Sequence, residues 1–170
     1  MLTYLVERIF QSAANVRLVD RAVQYQVNHQ LRRVWHTPAV TFDSPSAQVA
    51  SPTSWLIDLL PTSSVMYGLF NSANGFHLEL SPVYIEIAAH TRVMPMSLIL
   101  SHEVIEALVD PTGERMTNGV VTEICDPVEQ PGYRVNGVTV SNFVTPRWFI
   151  RAAARGRFDF EALLTHNHSA

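Results

Sequence analysis

Three residues that could do chemistry fall close together in the chain: His102, Glu103 and Glu106, in the segment MSLILSHEVIEALV. On a helix, side chains four apart stand one turn apart on the same face. An imidazole and a carboxylate at that spacing can share one metal ion, and the glutamate beside the imidazole is then placed to take a proton from an activated water. With a carboxylate as the second ligand, such a site is harder and richer in oxygen than one built on two imidazoles.

The segment has clear helical limits. Pro95 suits a helix start, and Asp110-Pro111 disfavours continuation. At about 100° per residue, Leu100, Val104, Ala107 and Leu108 cover one side and Leu98, Ile105 and Val109 another. A helix that is apolar nearly all round is a buried helix, and charge persists in such a place only if paired, hydrogen-bonded or bound to metal. His-Glu-x-x-Glu differs by one residue from the zinc-peptidase helix pattern His-Glu-x-x-His. Zinc or another divalent ion is therefore the expected cofactor, the alternative being a metal-free cluster of buried histidine and carboxylates. Glu103 is the expected general base, or, without a metal, a carboxylate reaching solvent.

A catalytic zinc needs a third protein ligand and an open position. Glu123 and Asp126 are the candidates. In a strand over 120–126 they would face opposite ways, whereas in a helical turn they would share a side. The preferred assignment makes Glu123 the metal ligand and Asp126 the group that orients a ligand histidine from behind. Cys125 between them suits a small core residue. His77, in GFHLEL, is a candidate catalytic donor to a substrate oxyanion, or else a structural histidine. His29, His166 and His168 are expected in solvent, and His90 in the loop before the helix. No nucleophile triad, phosphate loop or dinucleotide fingerprint occurs.

The elements that must position these groups are those of one α+β domain over residues 1–170, with a core over about 16–150 and a tail over 151–170. A net charge of -3 gives no overall basic footprint, so nucleic acid is not an expected partner. No apolar run is long enough to span a bilayer, so no membrane partner is expected either. The first residues, MLTYLVERIF, lack the basic start of a signal peptide. A single cysteine excludes an internal disulfide.

Val19, Val23, Val27, Leu31 and Val34 recur at helical spacing and predict an amphipathic helix over 16–35. Residues 1–14 could be helix or strand. Strands are expected over 39–42, 66–70, 76–80 and 84–87, the last of them a candidate edge strand, with a loop over 43–53. Residues 55–60 suit a strand or a buried turn. Thr117-Asn118-Gly119 predicts a turn. Asn136-Gly137 between two β-branched runs predicts a tight hairpin over 133–140.

The succession GFHLEL, SHEVIEALVDP, TEICDPVE and GYRVNGVTVSNFVTPRWF resembles a group of bacterial and tailed-phage proteins with a zincin-like metallopeptidase core. YQVNHQLRRVW resembles that group's first helix, so the likeness spans roughly residues 20–160. It departs from the group in a short loop between Glu114 and Val120 and a shortened stretch around Leu80. The resemblance implies a zincin-like fold, a small twisted sheet packed on two helices with a C-terminal β-hairpin. It also implies His102 and Glu106 as ligands, Glu123 with Asp126 as the third-ligand pair, and Glu103 as base. The expected activity is a metal-dependent peptidase acting on a peptide or protein, in the cytoplasm. The alternative is a non-catalytic virion component on the same scaffold, whose partners are other virion proteins or further copies of itself.

Overall fold

The computed structural model describes residues 2–9, 16–43, 54–60, 68–71, 84–88, 95–128, 131–150 and 158–167. It is a mixed helix and strand structure. Among these residues β1 (Leu2–Ile9), β2 (Ala39–Asp43), β3 (Ser54–Leu60), β4 (Gly68–Asn71) and β5 (Tyr84–Ala88) form a five-stranded sheet in the order β2-β1-β3-β5-β4. β1 runs parallel to β2 and β3, and β3 runs parallel to β5. Only β4 is antiparallel to its neighbour, β5.

Parallel neighbours cannot be joined by a tight turn, and the crossover from β1 to β2 is made by a long helix. It consists of α1 (Val16–Gln26), a π-helical turn (Val27–Leu31) and α2 (Arg32–Trp35). Val19, Val23, Val27 and Leu31 are all buried, as their spacing predicts. A strict spacing of four drifts by about 40° per step around an α-helix, and the wider π turn rotates the stripe back toward the core.

The polar side of this helix is not simply solvated. Gln24 and Asn28 bond the backbone of β2: Asn28 accepts from Val40 N at 2.8 Å and donates to Val40 O at 2.9 Å, and Gln24 accepts from Phe42 N at 3.1 Å. The outer edge of the sheet is thereby closed on that side. Gln26 is fully buried and donates to the Tyr133 hydroxyl at 3.0 Å and to Ser141 O at 2.7 Å. Tyr133 in turn donates to Gln30 at 2.6 Å.

The second long helix, α3 (Met96–Val109), has the limits its sequence predicts, with extended Pro95 before it. It packs against β4 and β5, and it touches α1. Every residue from Ser97 to Val109 is buried. Two serines strap it to the backbone of residues 139–141: Ser97 donates to Thr139 O at 2.6 Å, and Ser101 accepts from Ser141 N at 2.6 Å. Next come a short hairpin, β6 (Met116–Thr117) with β7 (Val120–Val121), and a 3-10 turn over Asp126–Val128. The predicted second hairpin is β8 (Tyr133–Val135) with β9 (Val138–Val140). Asn136 and Gly137 take φ of 49° and 82° at its tip, as a two-residue type I′ turn requires. α4 (Pro146–Ile150) and α5 (Phe160–Asn167) complete the chain.

Several expectations change. Residues 2–9 are a strand paired on both sides, so the packed unit starts well before residue 16. It also extends past residue 150: Phe160 is buried and stacks on Phe143 at 4.8 Å, and Asp159 bridges Val144. Strand β5 lies inside the sheet, and β4 holds the edge. The loop after β2, the strand expected over 76–80, His77, His90 and His168 lie outside the described residues. Among the described residues no helix is long and apolar enough to cross a membrane.

The Gln26 clamp is the main polar tie between the first helix and the C-terminal hairpin. Gln26→Ala leaves Ser141 O and the tyrosine short of a partner in a buried place, and should cost about 2–3 kcal/mol in urea unfolding. A loss within about 0.5 kcal/mol would show that the clamp contributes nothing.

Candidate metal centre

Helix α3 carries His102, Glu103 and Glu106 at 8 %, 8 % and 5 % exposure, and the pairing of i with i+4 is realised directly. His102 Nε2 lies 3.2 Å from Glu106 Oε2. The same nitrogen lies 3.2 Å from Asp126 Oδ1, at the start of the 3-10 turn. One ligand atom from each of the three residues falls within 4.8 Å of the others. Two segments separated in sequence therefore bring a nitrogen and two oxygens to one point.

The turn that supplies Asp126 is held by the backbone. Glu106 accepts from Cys125 N at 2.9 Å through Oε1, which leaves Oε2 for the imidazole. Val144 N donates to Ile124 O at 2.7 Å, and the buried Cys125 thiol donates to His102 O at 3.8 Å. Ile124 and Cys125 are fully buried while Asp126 is exposed, so the group is closed from the core side and open to solvent at the aspartate.

Two of the three donor spacings suit a small divalent cation, and the third lies within 4.8 Å. A tetrahedral ion with nitrogen and oxygen ligands at about 2.0–2.2 Å requires those ligands to stand about 3.3–3.6 Å apart. The nitrogen stands 3.2 Å from both oxygens, close to that edge length. One imidazole N–H cannot donate well to two acceptors, so the ion-free arrangement uses its oxygens incompletely. The group of His102, Glu106 and Asp126 can hold a metal ion, with three ligands and one side open.

Of the expected third-ligand pair, the geometry brings Asp126 to the imidazole. Residues 120–126 are a strand only at Val120–Val121, and the chain then turns. Glu123 is exposed, and the carboxylates that meet the imidazole are those of Glu106 and Asp126. Asp126, expected behind a ligand, is the carboxylate of the pair that meets the imidazole. Cys125 sits in the core, as its type suggests, and its backbone N–H has the larger part in the site. No side-chain pattern could have signalled that contact. His29 is exposed, with its ring 4.6 Å from that of Tyr25.

The electrostatics follow from burial among carboxylates. Burial works against a charged His102, but hydrogen bonds to Asp126 and Glu106, with the charges of Glu106 and Glu103, outweigh it and raise its pKa to about 10. Burial pushes Glu103 up to about 7; the imidazole opposes this, and Glu106, Asp126 and Glu123 reinforce it. The hydrogen bond to His102 holds the Asp126 carboxyl below its usual range. For Glu123, burial and then the Asp126 charge raise it. A carboxyl near 7 is matched to proton transfer at neutral pH.

The chain matches no family model, no curated protein and no solved structure.

In the ion-free protein a His102 raised above its unfolded value stabilises the fold fully below about 6.5, and that stabilisation is lost as pH climbs through about 10. A metal ligand must be neutral imidazole, so binding a cation at pH 7.5 displaces the proton from His102. Titration calorimetry with Zn²⁺ in two buffers of different ionisation enthalpy should register about one proton released per ion bound. Binding without proton release would place the ion elsewhere.

Proposed function

We propose that the protein is a zincin-like, metal-dependent hydrolase that cleaves peptide bonds, with zinc or another divalent ion held by His102, Glu106 and Asp126. The observation that carries this reading is the convergence of those three side chains on a buried helix, open to solvent on one side, with Glu103 next to the imidazole. A divalent ion there would act as a Lewis acid on a carbonyl oxygen and lower the pKa of water at the open position.

The chain's own residues supply the rest. Glu106 is held in one orientation by the Cys125 amide, so it need not reorganise to serve as a ligand. Glu103 makes no hydrogen bond to a described residue, and with its pKa near 7 it can accept a proton from the attacking water and deliver it to the leaving amine. The sheet supports a peptide substrate. β4 is paired on one side only among the described residues and packs against α3. An extended peptide can add to the side of β4 that no described strand occupies, through main-chain hydrogen bonds, in the manner of strand addition. That role falls to β4 instead of the 84–87 strand, whose two edges are both taken.

Mass-spectrometric digestion of a defined peptide mixture by the Zn²⁺-loaded protein tests the assignment. Glu103→Gln keeps the shape and the ligands, and should retain the ion while cleavage falls by about 10²–10⁴-fold. Cleavage at the wild-type rate in that variant would remove Glu103 as the base, and its loss together with the ion would show a structural role instead.

A further inference from the structure

The outward side of the first long helix carries a charge pattern that the whole-chain value conceals. Arg17, Arg21, Arg32 and Arg33 are all exposed, as are His29 and His36, and the stripe extends about 30 Å at 1.5 Å per residue. None of the four guanidiniums is ion-paired with a described residue; Arg21 donates only to Arg17 O, at 3.1 Å. Asp20 is the one acid of this helix, and it is half-buried off the stripe. Between the arginines stand Leu18 and Tyr25, 50 % and 43 % exposed. Arginine, tyrosine and an aliphatic residue without lysine or carboxylate is the composition of protein contact surfaces.

At the far end of the stripe lies a cavity of about 350 Å³ lined by Arg32, His36, Thr37 and Pro38. Thr37 is only 6 % exposed, and its hydroxyl has no hydrogen-bond partner among the described residues. That oxygen is closed off from solvent, so the groups the cavity offers a ligand are those of Arg32 and His36. The C-terminus of α2 opposes an anion with about half a unit of negative charge, but the adjoining Arg32 and Arg33 carry two full positive charges.

We infer that this face docks an acidic segment of a protein partner, with one carboxylate entering the cavity beside Arg32 and His36 and apolar side chains resting on Leu18 and Tyr25. Planar guanidiniums suit carboxylates through paired hydrogen bonds. The exposed leucine favours a protein over a nucleic acid, which offers it little apolar surface. The inference is independent of the metal centre, since none of these residues takes part in it.

Fluorescence anisotropy with a fluorescein-labelled peptide, (Glu-Asp-Leu)₄, and the full chain provides the test. Wild-type protein should bind at 50 mM salt and lose about tenfold in affinity at 200 mM salt. Arg32→Glu should weaken binding at least tenfold. Arg134→Glu, on the exposed side of the β8–β9 hairpin, should stay within twofold of wild type and serves as the control for unspecific charge. The proposal is overturned if wild type fails to bind, if Arg134→Glu weakens binding as much as Arg32→Glu, or if an oligothymidylate of equal charge binds more tightly than the peptide.

Discussion

An imidazole nitrogen that meets two carboxylate oxygens inside an apolar helix is the constraint on which the rest of the structure depends. Transferring even one charge out of water is expensive, and α3 is covered on nearly every side. His102, Glu103 and Glu106 can stay there only because their charges answer one another and Asp126 meets the imidazole from the solvent side. Removing one member would leave the others buried and unbalanced, so the stability of α3 is tied to these four side chains.

The geometry therefore has to be held tightly, and most of the holding is done by backbone. The Cys125 amide fixes Glu106, and the Val144 amide fixes the turn at Ile124. Ser97 and Ser101 bind α3 to Thr139 and Ser141 at the end of the β8–β9 hairpin. Gln26 ties that same hairpin to α1, whose Gln24 and Asn28 close the sheet edge at β2. A continuous series of polar contacts runs from the sheet through the first helix and the hairpin to the ligand turn, with the apolar core filling the space between.

Elements with strong local punctuation were legible in the sequence. Pro95 and Asp110-Pro111 delimit α3, and Asn136-Gly137 demands its hairpin whatever surrounds it. The pairing of His102 with Glu106 followed from helical geometry alone. What escaped depends on distant partners. LTYLVERI carries Glu7 and Arg8 in its midst, and nothing local tells that β1 pairs on both sides. The interior place of β5 arises because β4 turns back outside it. Gln26 has the type of a surface residue, and only the approach of Tyr133 and Ser141 makes its burial tolerable. Whether 120–126 is strand or turn stayed open in the sequence, because the change falls within a few residues, a scale at which periodicity has no power.

The central claim is that one cation is held by side chains from α3 and from the turn after β7. Anomalous diffraction at the zinc absorption edge, on crystals of the full chain grown with Zn²⁺, tests it most directly. The account predicts a single strong peak about 2.0–2.2 Å from His102 Nε2, Glu106 Oε2 and Asp126 Oδ1. Zinc-saturated crystals with no peak at that point, or with the ion bound by other residues while His102 keeps its two carboxylate partners, would contradict it.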